Sequence, residues 1–140
     1  MILRDPVHGL VEFETDEEDI VAALLEAGEV QRLRRIRQLG LASLAYPGAD
    51  HTRFSHAIGA AFVMTRFIRR MRQVHDALPF WQRVTTERAR DALAAALLHD
   101  VGHGPFSHLF EEALPNGPRH ETWTSRIILD PDTDVHRILT

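Results

Sequence analysis

The sequence predicts an all-α fold, a helical bundle preceded by a short N-terminal β-hairpin. Three observations lead there: apolar residues recur at helical spacing in successive segments, capping or breaking residues bound those segments, and short extended runs about a turn occur only in the first thirteen residues. With 140 residues and 44% apolar content, the chain has the size of one domain. It can bury roughly two thirds of its unfolded surface.

The segment Ile2 to Phe13 reads as the hairpin, because Asp5-Pro6 favours turn initiation and Gly9 permits positive φ. Thr15-Asp16-Glu17-Glu18 has the capping-box spacing, and Ile20, Val21, Leu24 and Leu25 follow at helical intervals, so a helix is expected from about residue 16 to Ala27, ended by Gly28. Val30, Leu33, Ile36 and Leu39 form the stripe of a second helix over Glu29–Leu39, with Arg32, Arg35 and Gln38 off the stripe and Gly40 as terminator. Tyr46 to Asp50 is a turn-rich loop. A long helix is expected from Thr52 to Val74. Another begins at Thr86, and its segment Ala92–Leu98 is apolar nearly all round and therefore central. Pro105 suits the start of a helix running to Leu114, broken by Pro115-Asn116-Gly117-Pro118. A further helix begins near His120 and is interrupted by Asp130-Pro131, after which Thr133–Leu139 starts a last one.

Composition narrows the chemistry. Without cysteine, disulfides and thiolate metal sites are excluded, so a metal must be held by imidazole and carboxylate. All 16 basic residues are Arg, and the net charge of −4 hides a segregation: residues 29–90 carry twelve Arg against four acids, while both flanking segments are acidic. A local positive field in an acidic chain suits a small anionic ligand better than a long nucleic acid, although ordinary solvated helix faces also account for many of these Arg residues. No membrane-spanning or secretory pattern occurs, and the chain reads as cytoplasmic.

The chemistry concentrates in His99-Asp100-Val101-Gly102-His103-Gly104-Pro105-Phe106-Ser107-His108. Adjacent residues in mid-helix point about 100° apart, but at a helix end followed by glycine the backbone can turn His and Asp toward one point. A single His there is more often a core or capping residue than a ligand. A neighbouring buried carboxylate shifts the balance, since an unpaired charge in an apolar bundle is costly and a cation relieves it. His56 lies on the earlier long helix, just before Ile58-Gly59-Ala60, where small residues permit close helix approach.

These residues bring a family resemblance into view. His56 followed by His99-Asp100 resembles the signature of the HD superfamily of metal-dependent phosphohydrolases, and so predicts an HD-domain helical bundle. The ordered series Asp5-Pro6-Val7-His8-Gly9, Gln31-Arg32-Leu33-Arg34, Gln38-Leu39-Gly40, Tyr46-Pro47-Gly48-Ala49, His51-Thr52-Arg53-Phe54-Ser55-His56, the His99–His108 segment and His120-Glu121 is similar to the deoxynucleoside triphosphate triphosphohydrolase branch. The resemblance implies that His56, His99 and Asp100 ligate a divalent ion (Mn, Mg, Fe, Co, Ni or Zn). It implies substrate contacts from Arg53 to the phosphates and from Gln38 and Leu39 near the deoxyribose and base. It places His103, His108 and His120 around the α-phosphate, with His120 and Glu111 as the acid–base pair, although the family usually has Asp at that last position.

The same resemblance implies cleavage of dNTPs to deoxynucleoside and triphosphate, a homo-oligomer, and a nucleotide effector site involving Glu26, Gln31 and Arg34. Two other readings stay open: a non-catalytic nucleotide-binding or assembly HD module, and an HD phosphohydrolase acting on nucleoside monophosphates or cyclic nucleotides. The family's fourth metal ligand is an aspartate on a later helix. Asp130, Asp132 and Asp134 sit in a helix-initiating turn and are poor candidates for it, so residues 1–140 are expected to be the N-terminal part of a single HD domain.

Overall fold

The computed structural model describes residues 1–5, 7–75, 78–114 and 116–140. Strands β1 (Ile2–Asp5) and β2 (Gly9–Glu12) pair antiparallel, with Asp5 opposite Gly9 and Ile2 opposite Glu12. The connecting turn is held by Asp5, whose Oδ1 accepts from the N–H groups of Val7 and His8 at 2.9 and 2.8 Å. The expected contribution of Pro6 to that turn, and of Pro115 to the later break, lies outside the described residues.

Seven α-helices follow among the described residues: α1 (Asp19–Glu26), α2 (Gly28–Gln31), α3 (Arg53–Gln73), α4 (Thr86–Leu98), α5 (His108–Ala113), α6 (His120–Leu129) and α7 (Asp134–Leu139). The core forms where α3 and α4 lie side by side with α1 across α4. Ala57 and Ala61 on α3, one turn apart and fully buried, let α4 approach closely, and Leu93, Leu97 and Leu98 fill the space opposite. Thr52 and Thr85 cap α3 and α4, each accepting through its side chain from an N–H three residues on. At the far end of α3, Arg69 and Arg72 pair with the buried carboxylates of Glu18 and Glu17.

Several expectations are corrected. The first helix begins only at Asp19, yet one arm of the expected capping box exists: Glu18 Oε2 accepts from the N–H groups of Glu14 and Thr15 at 2.8 and 3.1 Å. It ends because Ala27 is extended, and Gly28 starts the next helix rather than closing this one. The second helix does not reach Leu39. After α2 the chain tightens into a 3-10 turn over Arg32–Arg35, and Ile36 is extended at φ −112°, ψ 112°. Backbone pairing wins there: Arg53 N–H donates to Ile36 O at 2.8 Å and Gln38 N–H to His51 O at 3.1 Å, tying this strip to the entrance of α3.

The helix expected from Pro105 starts three residues late, because Phe106 and Ser107 adopt positive φ (65° and 58°). The all-round burial expected for Ala92–Leu98 is one-sided, with Ala95 exposed. Finally, α2 and α7 cap each other: Gly28 N–H donates to Asp134 Oδ2 at 3.2 Å, and Asp134 N–H donates to Glu29 Oε1 at 3.1 Å. No helix among the described residues is long and apolar enough to cross a membrane.

Candidate metal centre

His56 sits in the first turn of α3 and His99 at the C-cap of α4, so the packing of these two helices brings their imidazoles together. Their Nε2 atoms are 3.3 Å apart, and Asp100 Oδ2 lies 3.5 Å from His99 Nε2 and 3.8 Å from His56 Nε2. Donors each about 2.0–2.1 Å from one tetrahedral ion would be about 3.3 Å apart, so the trio can hold a divalent cation. The protonation states suit ligation. His99 Nδ1–H donates to Ala96 O at 2.9 Å, which leaves the Nε2 lone pair facing the centre. Burial lowers the pKa of His56, favouring its neutral form, with His99, Arg53 and His51 adding to it against the opposing pull of Asp100. Burial alone would raise Asp100, but His103, His99 and Arg53 together hold its carboxyl well below the usual carboxylate range.

Arg53 is almost wholly buried at the first position of α3, with Nη1 on Asp100 Oδ2 at 2.5 Å and Nη2 on Ser107 Oγ at 2.7 Å. The arginine expected at substrate phosphate is thus engaged by the same carboxylate oxygen that faces the histidines. Its Nε makes no hydrogen bond among the described residues.

A second group adjoins the first through Asp100. His103 is buried, with Nε2 3.5 Å from Asp100 Oδ1, and Nδ1 makes no hydrogen bond among the described residues. Its ring stacks on His120 at 3.8 Å between centroids. Glu111 Oε1 accepts from His120 Nδ1–H at 2.7 Å and from His120 N–H at 3.2 Å, and lies 3.7 Å from His108 Nδ1. Burial alone would raise the Glu111 pKa, but the hydrogen bonds from His120 and the neighbouring His120 and His108 rings together lower it. His108 is exposed at the edge of the group. Burial lowers the pKa of His103 and keeps it neutral, the opposing contact with Asp100 notwithstanding.

A cavity of about 870 Å³ opens beside the trio, with His8, Gln38, His51, His56 and His99 at one end and an apolar wall of Val63, Met64 and Phe67. Gln38 is fixed by His51, whose Nε2–H donates to Gln38 Oε1 at 2.6 Å. Leu39 is half exposed and does not line the cavity. Of the effector candidates, Gln31 and Arg34 are joined at 2.7 Å, and Arg34 lies 3.7 Å over the Phe54 ring. Glu26 is exposed at the end of α1 and contacts neither through a hydrogen bond or ion pair among the described residues. Asp130, Asp132 and Asp134 lie apart from the ligand groups, Asp134 being spent on Gly28 and Arg137. Sequence reasoning assigned no role to His51 or Ser107; the cue for Ser107 was a buried Arg with more donors than Asp100 could satisfy.

Comparison with known proteins decides the family, since the HD domain pattern matches residues 53–132. The chain belongs to the HD domain family. The match begins at Arg53 and takes in His56, His99, Asp100 and the second histidine group. An uncharacterized protein of Bacillus subtilis (strain 168), YwfO, is 41% identical over 138 residues, covering 99% of this chain and 29% of the relative. The deoxynucleoside triphosphate triphosphohydrolase SAMHD1 of Bos taurus is 35% identical over 127 residues, covering 88% of this chain and 20% of the relative. The Homo sapiens protein of that name is 32% identical over 127 residues, covering 88% and 18%. A crystal structure of a phosphohydrolase from Bacteroides thetaiotaomicron superposes with a TM-score of 0.77 at 32% identity, over 99% of this chain and 34% of that one. This HD chain therefore spans under a third of the length of these curated relatives.

Proposed function

We propose that this chain carries the metal-binding face of a phosphohydrolase that converts deoxynucleoside triphosphates to deoxynucleosides and triphosphate. The observation that carries the reading is the convergence of His56 Nε2, His99 Nε2 and Asp100 Oδ2 at 3.3–3.8 Å beside a large cavity. Its similarity to triphosphohydrolases named SAMHD1 supports the choice of substrate.

A divalent ion bound by the trio supplies charge neutralisation on the phosphoryl oxygens and a water of lowered pKa. The protein's own residues do the rest. Arg53, held from behind by Ser107, keeps a permanent positive charge next to the ligand carboxylate, where phosphate oxygens would gather. Glu111 fixes His120 with its proton on Nδ1, so Nε2 is the atom that takes up and returns a proton. Water adds its oxygen to the α-phosphorus as the bond from phosphorus to the 5′ oxygen breaks, His120 Nε2–H delivers a proton to that oxygen, and the proton given up by the water restores His120 Nε2–H, leaving deoxynucleoside and triphosphate. His103 and His108 offer further imidazole donors to the phosphates. The apolar wall of Val63, Met64 and Phe67 suits a nucleoside face.

The test supplies the protein with each dNTP and with Mn, Mg, Co, Ni, Fe or Zn in turn, and quantifies released triphosphate by ion chromatography. Metal-dependent release is expected, and it should vanish in His99→Ala/Asp100→Ala. Thermal stabilisation by dNTPs without turnover would replace this reading by a non-catalytic nucleotide-binding module. Turnover of monophosphates or cyclic nucleotides alone would replace only the substrate.

A further inference from the structure

The turn that carries His99, Asp100 and His103 is gripped from two sides by residues that touch none of the ligand atoms. In the turn that follows α4, the carbonyls of Val101 and His103 stand outside any helix and need partners of their own. Arg32, in the 3-10 turn after α2, supplies them: Nη1 lies 2.8 Å from His103 O, and Nη2 bonds Val101 O. One planar guanidinium thus spans the two residues that flank Gly102. From the opposite side, Thr124 Oγ1 on α6 accepts from Gly102 N–H at 3.0 Å and faces His99 O at 3.5 Å.

A Cβ on Gly102 would stand 2.2 Å from His120 O and 2.3 Å from Thr124 N, so the turn cannot shift toward α6. A cavity of about 300 Å³ lies between Arg32, Gly102 and His103 on one hand and Phe110 with the α6 residues Trp123 and Ile127 on the other, and Arg32 forms part of its wall.

We propose that Arg32 is a positioning residue of the metal centre: by clamping the carbonyls of Val101 and His103 it fixes the direction in which Asp100 and His103 present their side chains, while Thr124 braces His99 and Gly102 from α6. The proposal rests on the metal reading above. A lysine cannot replace the clamp, because a point charge with rotating donors does not hold two carbonyls in a fixed plane.

The experiment titrates cobalt(II) into the metal-free protein and into Arg32→Lys and Thr124→Val, recording the dissociation constant and the visible absorption of the bound cobalt, with thermal melts of each metal-free protein. Arg32→Lys should bind cobalt about 10–100-fold more weakly, with a changed spectrum, while its metal-free form melts close to the parent. Thr124→Val should show the same changes to a smaller extent. In turnover, kcat should fall while KM stays near the parent value. Parent-like affinity and spectrum in both variants overturns the proposal, as does a loss of binding that merely tracks loss of folded protein. Should Arg32→Lys not fold, a parent-like cobalt spectrum in Thr124→Val overturns it alone. If the parent itself binds no cobalt, manganese, iron or zinc, the metal reading fails and takes this proposal with it.

Discussion

The two histidine groups share Asp100 but are built differently. His56 and His99 stand on α3 and α4, the helices whose mutual packing makes the core, so their meeting follows directly from that packing. His103, His108, Glu111 and His120 ride instead on a turn with two positive-φ residues, on the six-residue α5 and on the first residue of α6. What holds them is polar: the Glu111–His120 contact, the stacking of His103 on His120, and the Arg32 and Thr124 contacts to the turn. On the function proposed above, a ligand set anchored in a core resists displacement, whereas His108, Glu111 and His120 on shorter elements can be altered with less disturbance to it. Substitutions should separate the two.

The largest effect is expected where they join. Asp100→Ala removes one of the proposed metal ligands and leaves Arg53 buried without its counter-charge, so triphosphate release should drop to background and the unfolding free energy by about 3–5 kcal/mol; elemental analysis and urea melts read the two losses. His120→Ala should lower kcat by about 10²–10⁴-fold with the metal content kept. A matching loss of metal would erase the distinction between the groups. Gly102→Ala forces the turn away from α6 and should cost about 1–3 kcal/mol in urea melts, weakening both groups together.

The smallest effect lies far from both, at the anchor of α3. Burial would raise the Glu18 pKa, but the N–H groups of Glu14 and Thr15 and the charge of Arg69 lower it overall. A carboxylate with a depressed folded-state pKa contributes stability that is present above its unfolded pKa of about 4.3 and disappears as pH falls through the folded value. Glu18→Gln should therefore be about 1 kcal/mol less stable at neutral pH, and its urea midpoint should fall less steeply than the parent's in acid.

Where the sequence was legible, periodicity and local chemistry agreed with the tertiary solution. The amphipathic stripe of α1, the long α3 and the alanine-rich α4 beginning at Thr86 appear as expected. Ile36 and Leu39 misled because their helical spacing competes with backbone pairing to residues 51–53, a non-local contact that periodicity does not encode. Phe106 and Ser107 misled because nothing in a Pro-Phe-Ser sequence announces two consecutive positive φ values. At the site, the approach of His56 to His99-Asp100 could be argued from ligand chemistry. Arg32, by contrast, looked like one more solvent-facing charge beside an apolar stripe, since the carbonyls it meets lie about seventy residues downstream.

The reciprocal contacts between Gly28-Glu29 and Asp134 bear on the order in which the molecule is assembled. The helix start that leads into Arg32 takes one of its caps from a residue more than a hundred positions later. During synthesis the ribosome releases the hairpin, α1, α3 and α4 well before α7, so the two imidazoles can meet while α2 still lacks that cap. The arrival of Asp134 then supplies that cap to the segment that runs on into Arg32, whose guanidinium meets the turn after Asp100.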